Sequence, residues 1–184
     1  MLRKLLLIGF LTTLLDMGGQ TAWAEVTEVE LRIDGLSCPF CVFNIEKPLK
    51  KLGAAGSLQT NYKEGVVRMG VKPGQSVDLA QFRQAVADTG FTLRAIRLTA
   101  IGTVAQWEDH PVLETRGTGQ QFLLFKEESK TTLTPEHTIG DPALERRLAG
   151  WQSSRTLVKV SGTVHEHQGL PPAMEIETIL EVKP

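Results

Sequence analysis

The sequence predicts an α+β chain in two parts: an alternating βαββαβ half, then a small mostly-β half. Three observations carry this. Period-2 and helical spacings alternate from residue 25 to residue 98. From residue 99 onward, strand signals dominate and only one helical stretch interrupts them. Both cysteines fall in the first part and all four histidines in the second.

A leader precedes both. Arg3 and Lys4 form a positive start, Leu5 to Leu15 an apolar run, and Ala22-Trp23-Ala24 a small-residue cleavage pattern. Residues 1–24 therefore read as a secretory signal peptide, with an uncleaved anchor as the other reading. The run is shorter than the roughly 20 residues of a bilayer span, and no later run is long enough. The expectation is an exported, periplasmic protein with no membrane span after cleavage.

Val29, Leu31 and Ile33 alternate with Glu30, Arg32 and Asp34, the pattern of a half-buried strand. Val42, Ile45, Leu49 and Leu52 follow at helical spacing, and Gly53 stops them. Pro48 fits that helix poorly, because it lacks the N–H that would bond the Asn44 carbonyl; a kink or a late helix start is expected. Leu58, Thr60 and Tyr62, the turn Lys63-Glu64-Gly65, and Val67, Met69 and Val71 read as a hairpin. Ser76 is placed to cap a second helix carrying Leu79, Phe82 and Val86, with Gly90 as its stop. Phe91 and Leu93 open the last strand of this half. The order is that of a ferredoxin-like fold, with both helices on one face of an antiparallel sheet.

Residues 99–184 begin with three strands, near Leu98–Trp107, Val112–Arg116 and Gln120–Lys126. Asp141-Pro142 caps a helix with Leu144, Leu148 and Trp151 on one face. Thr156–Glu166 and Met174–Val182 close the chain, with Met174, Ile176, Thr178, Leu180 and Val182 expected on one face. Three strands, a helix and two strands is the order of an OB-like barrel. The expected division is 1–24, 25–98 and 99–184, with a boundary near Leu98 to Ile101.

Charge narrows the function classes. The chain carries 20 basic and 21 acidic residues, net −1, which is no nucleic-acid footprint. Residues 25–98 hold 10 basic and 8 acidic residues, and residues 99–184 hold 8 and 12. The positive first half fits docking to an acidic surface. No serine–histidine–acid order, phosphate loop or carboxylate pair stands out, so the expectation is a protein that is not an enzyme.

The chemistry sits at Cys38 and Cys41, in Gly35-Leu36-Ser37-Cys38-Pro39-Phe40-Cys41. A C-x-x-C between a strand and a helix places both sulfurs near unpaired N–H groups and the positive dipole end. Both favour thiolate, the form that binds metal and attacks disulfides. Two thiolates make a soft site, suited to Cu(I) and other thiophilic ions and not to calcium or magnesium. Structural zinc prefers four ligands.

Through this motif and its βαββαβ setting, residues 25–98 resemble the heavy-metal-associated domain of copper chaperones, copper-ATPase N-terminal modules and periplasmic mercury-binding proteins. The family pattern G-M-x-C-x-x-C meets Gly35-Leu36-Ser37-Cys38-Pro39-Phe40-Cys41 here, with Leu36 in place of the Met. Leu52-Gly53 resembles the exit of the family's first helix, and Asp88-Thr89-Gly90-Phe91 the segment before its last strand. The resemblance implies Cys38 and Cys41 as metal ligands, Phe91 beneath the metal loop, and Cu(I), then Hg(II), as cargo. It implies a protein metal donor or acceptor, such as a membrane transporter, as partner. Residues 99–184 show no clear family resemblance.

Other readings stay open. The pair suits a structural disulfide in an oxidising compartment, within a plain interaction module. C-P-F-C also resembles the C-P-[YF]-C of glutaredoxins, which would make the chain a thiol–disulfide oxidoreductase. His165 and His167 share one face of a strand and would form a second metal site, with His110 or His137 completing it; solvated strand-end histidines are the alternative.

Overall fold

The computed structural model describes residues 25–126 and 139–183; the expected leader at 1–24 and His137 lie outside the described residues. The first half runs β1 (Val26–Asp34), α1 (Pro39–Leu49), β2 (Ala55–Asn61), β3 (Val66–Val71), α2 (Leu79–Ala87) and β4 (Thr92–Trp107). All pairings are antiparallel in the order β2-β3-β1-β4, with Val29 opposite Met69 on one side and Leu98 on the other. The alternating apolar residues of β1 therefore meet those of both neighbours. Val29, Leu31 and Met69 are fully buried in one cluster with Ile45 and Leu49 of α1 and Phe82 and Val86 of α2. Both helices thus cover the same sheet face, because each presents its apolar stripe to it.

Two local details differ from expectation. Pro48 falls in the last turn of α1, where the missing donor removes only a closing bond before the chain leaves the helix. The α2 cap is Asp78, whose Oδ1 accepts the Ala80 N–H at 2.9 Å, and not Ser76. The reason is tertiary. The Gln120 side chain accepts the Val77 N–H and donates to the Val77 carbonyl, both at 2.8 Å, so residue 77 cannot enter the helix.

The second half adds β5 (His110–Thr115), β6 (Gln120–Phe125), α3 (Pro142–Ser154), β7 (Leu157–His165) and β8 (Ala173–Glu181). Strands β4-β5-β6-β8-β7 close into a five-strand barrel, because β7 pairs back onto β4; β6 and β8 run parallel. β4 belongs to both halves. It pairs with β1 up to Ala100, with β5 from Thr103, and with β7 along its other edge from Arg97 to Thr103. The boundary expected near Leu98 to Ile101 therefore lies inside one continuous strand. Gly102 stands where β4 changes partner, and a Cβ there would meet the Glu114 carbonyl oxygen at 2.5 Å. Only glycine permits that approach.

The shared strand has an energetic consequence. A free β4 edge would offer unpaired backbone groups; β7 covers it. The uncovered sheet face carries charges that tie the halves together. Glu30 is buried, accepts from Arg68 at 2.9 Å and lies 3.5 Å from Arg97, which also pairs with Glu177 of β8. Thr99 and Ser161 hydroxyls meet at 2.9 Å across β4 and β7.

In β8 the alternation expected from the sequence is broken. Ser161 pairs with Thr178 but Gly162 with Ile176, so Glu177 is an extra residue. A bulge reverses the faces beyond it. Ile179 is buried and Leu180 is exposed, the reverse of expectation.

Asp141 caps α3 as the sequence predicts. Its carboxylate accepts the N–H of Ala143 at 2.8 Å and of Leu144 at 3.2 Å, and these bonds hold its pKa below the usual range. For Glu46 burial pushes upward, but hydrogen bonds from Lys50 and Thr60 and the Lys50 charge outweigh it, and its pKa is also lowered. A depressed folded-state pKa contributes stability that is complete above the unfolded value, about 4, and is lost as pH falls through the folded one. Thermal melts from pH 7 to pH 3 should therefore show stability falling below about pH 4. That loss should shrink in an Asp141→Asn, Glu46→Gln variant; an unchanged profile would reject the assignment.

Candidate metal centre

β1 ends at Asp34 and α1 begins at Pro39, so four residues make the crossing. Gly35 takes φ +88°, and the Ser37 N–H bonds its carbonyl at 2.9 Å. An L side chain rarely adopts that φ. A Cβ at Gly35 would also come within 3.2 Å of Phe91 Cδ1, so the Phe91 ring lies directly against the base of the loop. Leu36 is buried, at 4% exposure, and pins the loop to the core.

Cys38 is the N-cap of α1. Its backbone is extended and its Sγ accepts the Cys41 N–H at 3.2 Å. Pro39 follows at the first helical position, where a missing N–H costs nothing and the preset φ favours a start. Cys41 sits in the first turn and packs against the core cluster. The two Cα atoms are 5.2 Å apart and the sulfurs are joined as a disulfide. The C-x-x-C thus brings both predicted site residues together at a helix start, with one backbone donor already on the Cys38 sulfur. Reduction would leave two thiols at that positive end, which favours the thiolate form that a soft ion needs.

The histidines are placed differently. His165 ends β7, with Nε2 3.5 Å from Glu175 Oε2 and its ring edge-on to Phe125 at 5.7 Å between centroids. His167 lies beyond the strand, in the turn toward β8. Glu166 between them pairs with Arg83 of α2 at 2.5 Å. His110 lines a cavity of about 350 Å³ with Gln106, Asp109, Glu145 and Leu148, between α3 and the β4–β5 turn. Among the described residues, no group of three or more His, Cys, Asp or Glu is arranged to hold a metal ion.

Sequence reading missed the other face of α1. Phe40 is 71% exposed and Phe43 64% exposed, beside the cysteines. The signal was present: positions 40, 43 and 47 form a stripe opposite the buried Ile45 and Leu49.

Comparison with known proteins is partial. No family model matches the chain. A segment of 89 residues, 47% of this chain, is 34% identical to Copper-transporting ATPase 1 of Rhizobium meliloti (strain 1021). The match spans only 10% of that ATPase. Among solved structures, the N-terminal domain of ZntA in its apo form is similar at a TM-score of 0.33 and 20% identity, over 38% of this chain and 90% of that one.

Proposed function

We propose that this chain is an exported carrier of a soft heavy-metal ion, held between the Cys38 and Cys41 thiolates of a heavy-metal-associated domain. The observation that carries the reading is the C-x-x-C at the strand-to-helix junction of a βαββαβ sheet. Similarity of an 89-residue segment to part of a copper-transporting ATPase supports heavy-metal binding. Thiolate softness puts Cu(I) first and Hg(II) second. The ion is cargo, not a resident cofactor, and the chain is a carrier rather than an enzyme.

Transfer would proceed by ligand exchange. A partner thiolate or thioether enters the open coordination position, three sulfurs hold the ion briefly, and one of the two cysteines then leaves. The partner is a protein metal donor or acceptor, such as a membrane transporter. No helix among the described residues is long and apolar enough to cross a membrane. The barrel, whose strand order and closure fit an OB-like reading, serves as a scaffold that covers the β4 edge. The periplasm is the proposed compartment.

The reading is tested by a Cu(I) competition titration of reduced, anaerobic protein against a chromogenic chelator. One tightly held ion is expected in the wild type and none in a Cys38→Ser, Cys41→Ser variant. A wild type that cannot compete rejects the copper reading. Copper retained by the variant would move the site away from the cysteines.

One observation favours a second reading. Cys38 is bonded to Cys41 and caps the helix, the arrangement a thiol–disulfide oxidoreductase uses. A high reduction potential with turnover of a disulfide substrate would support that reading over the carrier.

A further inference from the structure

We infer that the barrel half carries a peptide-binding groove between α3 and the far edge of β4. Its ligand is an extended segment of a partner protein, basic at its leading end and acidic at its trailing end. β7 pairs with β4 only from Arg97 to Thr103, yet β4 runs on to Trp107 beside β5. The cause is local. Arg155 ends α3 at φ +52°, the Thr156 N–H bonds the Trp151 carbonyl at 3.0 Å, and β7 starts only at Leu157, opposite Thr103. Beyond Thr103, no strand among the described residues lies beside that edge.

The two-residue turn Glu108-Asp109 makes Trp107 and His110 the hydrogen-bonded pair that closes the hairpin. Alternation then turns the N–H and C=O of Val104 and Gln106 away from β5. Thr103, Val104, Ala105 and Gln106 line a cavity of about 410 Å³ with Gln152 of α3. Side chains alternate along a strand, so four consecutive residues on one cavity put the backbone itself on its wall. Gln106 and Gln152 also line the cavity of about 350 Å³ beside His110, which makes the two continuous. Their side chains meet at 3.4 Å, a long bond that an entering peptide can replace. Cavities of this size suit small ligands, and an open strand edge suits an added strand.

Charge fixes the ligand's direction. Asp109 and Glu145 line one end of the groove. Arg116 and Arg155 line the other, where they outweigh Glu114. None of these five forms an ion pair among the described residues. A strand antiparallel to β4 starts opposite Trp107, at the carboxylates, and ends opposite Val104, at the guanidiniums. A cationic first residue and an anionic last one complete the match. A second copy would bring its own α3 against the edge it offered, so its β4 cannot enter. The groove lies in the other half from Cys38 and Cys41, and the inference does not depend on the ion carried.

The test titrates the full chain with the acetylated, amidated tetrapeptide KVTE, followed by amide NMR. Shifts are expected from Val104 to Trp107 and along α3. The reversed peptide EVTK should bind at least about tenfold more weakly. N-methylation of the second residue, whose N–H faces β4 opposite Gln106, should abolish binding; N-methylation of the third, whose N–H faces away, should not. A Glu145→Lys, Arg116→Glu variant should prefer EVTK, and the wild-type arms decide the matter should that variant not fold. No shift at about 1 mM KVTE overturns the proposal, as does equal binding of KVTE and EVTK or indifference to the methylated position. A wild-type dimer in sedimentation that protects the Val104 and Gln106 amides from solvent exchange overturns it in favour of a second copy.

Discussion

Oxidised before it is offered Cu(I), the chain is expected to leave the ion with the chelator; reduced, the same sample should take it up. The disulfide uses both sulfurs as bonding partners for each other, so neither carries the negative charge a soft ion needs. Two electrons restore two thiolates at the start of α1, where the Cys41 N–H and the helix dipole stabilise the Cys38 sulfur. Among the described residues no alternative cluster stands ready to replace them. The difference in apparent affinity should exceed about a hundredfold, or about 2.7 kcal/mol. Equal uptake by the oxidised and reduced forms would place the ion elsewhere, with His165 and His167 the first residues to remove.

Gly162→Ala should be the most damaging single methyl in the barrel. A Cβ at Gly162 would sit 2.1 Å from the Glu175 carbonyl oxygen and 3.0 Å from Met174 Cγ. The nearer atom is backbone, in the strand that already carries the Glu177 bulge, so relief requires parting β7 from β8. β7 also closes the barrel onto β4 and so covers the edge of the βαββαβ sheet. A loss of about 3 kcal/mol or more is expected, or failure to fold. Gly150 is the control. It lies inside α3 with open space where a Cβ would go, and alanine there should stabilise by roughly 0.5–1 kcal/mol. Urea denaturation of both variants measures the contrast. A Gly162→Ala protein within 1 kcal/mol of wild type, by that measure about the scale of an ordinary surface change, would refute the packing argument.

Much of this architecture was legible. Val29, Leu31 and Ile33 mark β1 because side chains alternate along a strand, and all three are buried. Asp141-Pro142 marks the start of α3 because an acceptor side chain and a preset φ both act locally. The cysteine pair was legible for the same reason, since its spacing and flanking glycine concern seven consecutive residues. The cap of α2 was not. Ser76 and Asp78 are both good caps, and the choice fell to Gln120, over 40 residues away. The face of Leu180 was misread because a bulge at Glu177 leaves no mark in hydrophobic periodicity until the partner strand is known.

By itself, then, the sequence determined what short-range chemistry determines: the order of strands and helices, the turn residues, and two sulfurs poised at a helix start. Tertiary structure alone decided what depends on distant partners. It ran β4 through both halves, because each edge of a strand pairs independently and three other strands found matching registers along it. It also turned Phe40 and Phe43 outward. A helix has one apolar stripe facing its sheet, and Ile45 and Leu49 had already taken that side.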